Sequence, residues 1–255
     1  MKKAYLGAVA VLGLTLTTGS IAQQDTEQNK AYPHKIGNLL MSDNYLNFNY
    51  LKDTEDRLDT IRLFNSWDRP MEISPEKPPK HIEVWIEPQP LPAGSEALLI
   101  VKYYGTARPD YGFVGYRLGL RTNDMEQMIK TIPVNAYIEE DFSGLTEEQK
   151  ANPPRIEVQA DRYNFGTVKE GTNVAHDYVI KNVGSRDLII RSTRASCGCT
   201  AIKPEKTVLA PGEESKVGIV LDTRGRKGMQ HKTVSIISND PRQSTIILHV
   251  EGQVE

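Results

Sequence analysis

TVSIISNDPRQSTIILHVE, from Thr233 to Glu251, decides the fold of this chain. Val234 and Ile236 alternate with Thr233 and Ser235, and Ile246, Leu248 and Val250 alternate with Ile247, His249 and Glu251. Period two over short runs is the mark of strands with one buried face. Asn239-Asp240-Pro241 between the runs is turn chemistry, so the stretch predicts an antiparallel hairpin. A turn over residues 239–243 sets Ser238 opposite Ser244 and His249 opposite Thr233. His231 and His249 then become diagonal neighbours on the outward face.

The same alternation extends upstream. Tyr178 and Ile180 alternate with Asp177, Val179 and Lys181, and Val217, Ile219 and Leu221 with Lys216, Gly218 and Val220. Turn signals separate them at residues 183–185, 210–212 and 224–228. About seven short strands in about 100 residues, with no long amphipathic helix, predict an all-β, immunoglobulin-like β-sandwich. An up-and-down barrel is the alternative.

Self-comparison doubles this unit. At a shift of 117, Asn47-Phe48 meets Asn164-Phe165, Lys52 meets Lys169, Asn65 meets Asn182, Arg69 meets Arg186 and Ile73 meets Ile190. At 118, LPAGSEA from Leu91 meets LAPGEES from Leu209, and at 116, Asn123-Asp124 meets Asn239-Asp240. Small changes of offset are what loop insertions produce. The expected organisation is two tandem sandwiches at residues 42–138 and 156–255, with Phe48, Ile61, Leu63, Leu99, Val101, Leu118 and Leu120 inward in the first. Residues 139–155 form a polar, acidic linker in which Thr146 and Gln149 can cap one helical turn before Pro153-Pro154 stiffens the chain.

Residues 1–22 read as a secretory signal peptide: Lys2 and Lys3, the apolar run from Ala4 to Leu16, and small residues ending at Ala22. The run is short for a membrane span, and no cysteine follows the cleavage position, which excludes a lipoprotein. Residues 23–41 read as a polar leader. The expected location is therefore the periplasm or cell surface. The whole chain of 255 residues carries 31 Lys and Arg against 33 Asp and Glu, with 25% charged and 38% hydrophobic residues. That composition is globular, and its balance argues against a nucleic-acid binder.

The second unit resembles a bacterial domain of unknown function found in exported proteins. The ordered elements that carry the resemblance are Phe165-Gly166, Asn182-Val183-Gly184, Cys197-Gly198-Cys199-Thr200, Ala210-Pro211-Gly212-Glu213 and Ser238-Asn239-Asp240-Pro241. The resemblance covers roughly residues 156 to 255. It implies an immunoglobulin-like fold related to the ASH, major-sperm-protein and PapD-like modules, and no established enzymatic activity. The first unit departs from the pattern, with Lys80-His81-Ile82 aligned to the cysteine segment.

Cys197 and Cys199 form the sharpest chemical signal, since residues two apart on a strand share a face. A disulfide there would restrain the unfolded chain by only about 1.6 kcal/mol, so a staple is a poor reason for the pair. Redox exchange, soft-metal binding and simple burial all stay open. His231 and His249 are a second metal candidate. The chain has no GxSxG, GxxxxGK[ST], HExxH or post-strand GxGxxG, so no catalytic residues are assigned and no cofactor is expected.

The aromatic residues are divided unequally: 13 of 18 fall in residues 31–138 and three in residues 156–255. Trp67, Tyr104, Tyr111 and Phe113 lie at turns or loops of the first unit and are the candidate contact residues for a partner. The expected function is non-enzymatic protein–protein interaction or assembly in the cell envelope. Thiol-redox or soft-metal binding through the cysteines, and carbohydrate binding through the rings, are the alternatives.

Overall fold

The computed structural model describes residues 30–107, 110–196, 199–201 and 203–255. The expected signal peptide, residues 23–29 of the expected leader and Cys197 lie outside the described residues. The rest of that leader belongs to the first half instead, because Leu39 and Met41 are apolar, pair with Asn65 and Leu63 and are wholly buried. The chain is all-β. Nine strands come first: β1 (His34–Ile36), β2 (Leu39–Met41), β3 (Leu46–Lys52), β4 (Asp56–Asn65), β5 (Ile73–Pro75), β6 (Ile82–Glu87), β7 (Glu96–Tyr104), β8 (Gly112–Thr122) and β9 (Ile129–Glu139). After helix α1 (Glu147–Ala151) come β10 (Ile156–Val158), β11 (Arg162–Val168), β12 (Asn173–Asn182), β13 (Leu188–Ala195), β14 (Cys199–Ala201), β15 (Val208–Leu209), β16 (Glu214–Asp222), β17 (Gly228–Ser238) and β18 (Thr245–Val254).

Among the described residues the strands pair into four sheets, and none of these draws on both halves of the chain. The first half gives β1-β2-β4-β7-β6 and β3-β9-β8-β5; the second gives β10-β12-β16-β14 and β11-β18-β17-β13-β15. Reading β2, β4, β7 and β6 onto β10, β12, β16 and β14, and β3, β9, β8 and β5 onto β11, β18, β17 and β13, reproduces the order strand for strand. Each half buries its own apolar cluster. One contains Phe48, Ile61, Leu63, Leu99, Val101, Leu118 and Leu120; the other contains Tyr178, Ile180, Val217, Ile219, Val234, Leu248 and Val250. Each wholly buried aliphatic side chain is worth about 1.5–3 kcal/mol, which makes the alternation the main driving force for both cores.

The hairpin register follows from the turn. Ser238 N donates to Ser244 O at 2.8 Å, and Thr233 pairs with His249 and Val234 with Leu248. A one-residue slip would carry Ile246, Leu248 and Val250 to the solvent face.

The repeated residues make repeated bonds. Asn65 Nδ2 donates to Arg69 O and Leu91 O, and Asn182 Nδ2 donates to Arg186 O and Leu209 O. Gly94 N donates to Asn65 O at 2.9 Å, and Gly212 N to Asn182 O at 2.8 Å. Asn123 Oδ1 accepts from Glu72 N, as Asn239 Oδ1 accepts from Ile189 N. The strands β3 and β11 each run parallel to the closing strand, β9 or β18, and each carries a bulge. A side-chain amide pins both bulges: Asn47 Oδ1 accepts from Asn49 N, and Asn164 Oδ1 from Gly166 N. Asn49 and Gly166 occupy the left-handed region at φ 52° and 69°, which asparagine and glycine tolerate best.

The segment between the halves is bonded to both. Asp141 N donates to Asp53 Oδ1, and Thr54 Oγ1 donates to Asp141 Oδ2. Arg191 makes two bonds to Glu140, at 2.9 and 2.5 Å, and Arg186 reaches Glu148 at 2.8 Å. α1 is capped reciprocally by Thr146 and Gln149.

Candidate interaction site at the junction of the two halves

The far end of the first half meets the outer face of β17 and β13. Strand alternation sends Phe113 of β8 and Tyr137 of β9 outward, while Val114, Ala136 and Ile138 fill the core. Phe113 lies opposite Tyr137, and Tyr137 opposite Tyr50 of β3, so three rings form one row across three neighbouring strands. The Tyr50 and Tyr137 centroids are 5.1 Å apart at 53°. Tyr50 is 65% exposed and Phe113 is 56% exposed. Large apolar rings left in water at this density mark a contact surface more often than isolated exposed side chains do.

A groove of about 420 Å³ continues the row, lined by Phe113, Tyr137, Arg194, Ser196, Thr233, Ser235 and Ile237 among its residues. Its floor is built because Thr233, Ser235 and Ile237 occupy the outward positions of β17. Tyr137 and Thr245 approach hydroxyl to hydroxyl at 3.4 Å across the junction. Arg194 is exposed and has no ion-pair partner among the described residues, so the groove carries an available cation.

Tyr111 occupies the same junction in a different role. Its hydroxyl donates to Asp53 Oδ2 at 2.8 Å, and the Arg191 guanidinium lies 5.3 Å from its ring centroid. Burial pushes this hydroxyl up to about 12, and the Asp53 bond and charge act in the same direction. Tyr111 is thus half-buried structure between the halves, and Phe113 is the exposed ring. Tyr104 donates to Glu83 Oε2 at 2.5 Å, with the Lys102 ammonium 4.3 Å from its ring centroid. Trp67 lies beyond the opposite end of β4, packed against the first core under Arg69. The structure therefore brings Tyr111 and Phe113 together and leaves Trp67 and Tyr104 outside the groove.

The thiol and imidazole candidates are in the second half. Cys199 pairs with Leu221 at the edge strand β14 and is half-buried. Burial pushes its thiol up, and the nearby Lys232 and Arg226 charges offset this only in part. His176 stacks on Tyr163 with centroids 3.9 Å apart and meets the edge of Tyr178. Burial holds its imidazole below the ordinary value despite Asp177. His231 Nε2 and His249 Nδ1 lie 3.2 Å apart on the outer face. Among the described residues, no three His, Cys, Asp or Glu side chains converge on a metal position, and no helix is long and apolar enough to cross a membrane.

Residues 156–254 match the family described as "Protein of unknown function (DUF1573)". No curated protein matches the chain. Among solved structures, a protein of unknown function from Porphyromonas gingivalis W83 is 19% identical, with a TM-score of 0.64 over 85% of this chain and 100% of that one. The ASH/PapD-like domain (PapD-like domain 7) of human CEP192 is 14% identical, with a TM-score of 0.33 over 46% of this chain and 97% of that one. The CupB2 chaperone of Pseudomonas aeruginosa is 10% identical, with a TM-score of 0.28 over 82% and 98%. At these identities a likeness concerns the fold alone, and of these three the Porphyromonas protein scores high enough to carry that much.

Proposed function

We propose that this is an exported, non-enzymatic binding protein of the cell envelope, built as two tandem immunoglobulin-like sandwiches that present the junction groove to a protein partner. The observation that carries this reading is the row Tyr50–Tyr137–Phe113, exposed at its ends and continuous with a groove that holds Arg194. Rigid rings contribute contact area at little entropic cost, and an arginine beside them adds a directional charge. The linker bonds of Glu140 and Glu148 to Arg191 and Arg186 hold the two groove walls together.

The test is comparative capture from envelope extracts after cross-linking. The chain carrying Phe113→Ser, Tyr137→Ser and Arg194→Glu loses the proteins that the unmodified chain retains, whereas Trp67→Ala keeps them. An identical catch from both would refute the groove as the contact surface. Export is checked separately by fractionation and by N-terminal sequencing, with Gln23 the expected first residue. The exposed ring faces also favour carbohydrate as a second reading, which binding to glycans in place of protein would select.

A further inference from the structure

We propose that His231 and His249 form a cross-strand site for a divalent transition-metal ion, just beyond the groove, whose floor residue Thr233 pairs with His249. His231 Nε2 and His249 Nδ1 are 3.2 Å apart. Two nitrogens each about 2.05 Å from one ion span that distance when the angle at the ion is about 103°, close to the tetrahedral value. The pair therefore already holds the separation a bound ion requires. In the metal-free chain the two nitrogens stand at hydrogen-bond distance, so an ion enters by taking the place of the shared proton as the rings turn.

The backbone under the pair is fixed. His249 N donates to Asp161 O at 2.7 Å, and its carbonyl accepts from the Tyr178 hydroxyl at 2.6 Å. His231 sits opposite Glu251 in the ladder, and His249 opposite Thr233 and, on the other side, Arg162. Glu251 supplies negative charge beside the site, while exposed Arg162 opposes it weakly through water. Imidazole ligands select transition metals over calcium or magnesium, and affinity rises from nickel to copper. With two protein ligands, water completes the coordination. Both imidazoles must be neutral to bind, so protons compete with the ion.

The probe is Ni(II), titrated calorimetrically into the full chain. One equivalent binds to the unmodified protein, and His231→Ala or His249→Ala each weakens binding by roughly tenfold or more. His34→Ala and His81→Ala leave it unchanged. X-ray absorption at the nickel edge counts two imidazole ligands, and circular dichroism confirms that each variant is folded. Undiminished binding in the His231→Ala/His249→Ala chain overturns the proposal, as does a spectrum showing fewer than two imidazoles. The groove variants named above retain nickel binding, which separates this site from the partner surface.

Discussion

Asn182 is the most informative residue to remove. It is wholly buried, donates two bonds of 2.8 Å to the carbonyls of Arg186 and Leu209, and accepts from Gly184 N at 2.9 Å. Asn182→Ala leaves these three groups, and Arg155 N at 3.4 Å, without that partner. The Arg186 carbonyl and Gly184 N–H belong to a turn that water can reach, and Leu209 keeps its place in the ladder opposite Leu188, so the cost is that of the bonds lost. At about 0.5–1.5 kcal/mol net for each lost bond, the loss comes to about 3 kcal/mol. With a urea slope near 1.5 kcal/mol/M for a unit of this size, the unfolding midpoint of the second half falls by about 2 M. Asn65→Ala breaks the corresponding bonds to Arg69, Leu91 and Pro92 and the one from Trp67 N, while Leu91 O keeps Met71 N, and should cost the first half a similar amount. Both tryptophans, Trp67 and Trp85, lie in the first half, so fluorescence follows that half alone while far-ultraviolet dichroism follows both. The expected pattern is a fluorescence transition moved by Asn65→Ala and unmoved by Asn182→Ala. A loss below about 0.5 kcal/mol from Asn182→Ala would refute the turn as a buried anchor. A fluorescence shift equal to the dichroism shift would refute separate unfolding of the two cores.

Acid stability of the first half rests on Asp124. Burial works to raise its carboxyl, but the Lys130 ammonium at 2.7 Å and the bonds from Asn38 and Glu126 outweigh burial and hold it at about 2. A folded value below the unfolded value of about 3.9 contributes stability above pH 4, which is lost as the pH falls toward 2. Asp124→Asn should flatten that loss in a fluorescence-monitored acid titration; an unchanged acid midpoint would count against the pair. Arg191→Ala removes the two bonds to Glu140 that tie the linker to β13. Cleavage by protease within residues 140–155 should accelerate several-fold while both urea midpoints hold, and equal cleavage rates would show that this pair does not restrain the linker.

The sequence is most legible where alternation and turn chemistry coincide. The hairpin of β17 and β18 has the register that its turn implies, and Thr146 with Gln149 caps the linker helix. Tyr50 shows why the exposed ring row is less legible. Counting by twos from Leu46 and Phe48, both buried, sends Tyr50 into the core. The bulge between Asn47 and Tyr50 resets the parity, so Leu51 is buried and Tyr50 faces water. Tyr137 follows plain alternation between Ala136 and Ile138, and its outward face could have been read directly. Trp67 and Tyr104 differ because a turn position does not reveal what a ring packs on; Asn65, Arg69, Glu83 and Lys102 supply that answer only in three dimensions.

Comparing the two halves separates framework from specialisation. What they retain in common is the set of asparagine and glycine bonds that close turns and bulges, since loss of any one strands a backbone group. What they do not share is the end of the core facing β6 or β14. In the first half, Ile82 pairs with Tyr103, and Val114 is buried with Tyr116 packed against the same cluster. At the matching ladder positions of the second half, Cys199 pairs with Leu221, and Gln230 and Lys232 replace the valine and tyrosine on β17. An apolar seal has become a half-buried polar end beside the stacked Tyr163 and His176. Polar side chains at inward positions cost stability, and a core free to drift under stability alone would not gather a cysteine, a glutamine and a lysine at one end. The second half therefore gives up packing at the end that carries Cys199, while the first half sets Tyr50, Tyr137 and Phe113 outward at the junction.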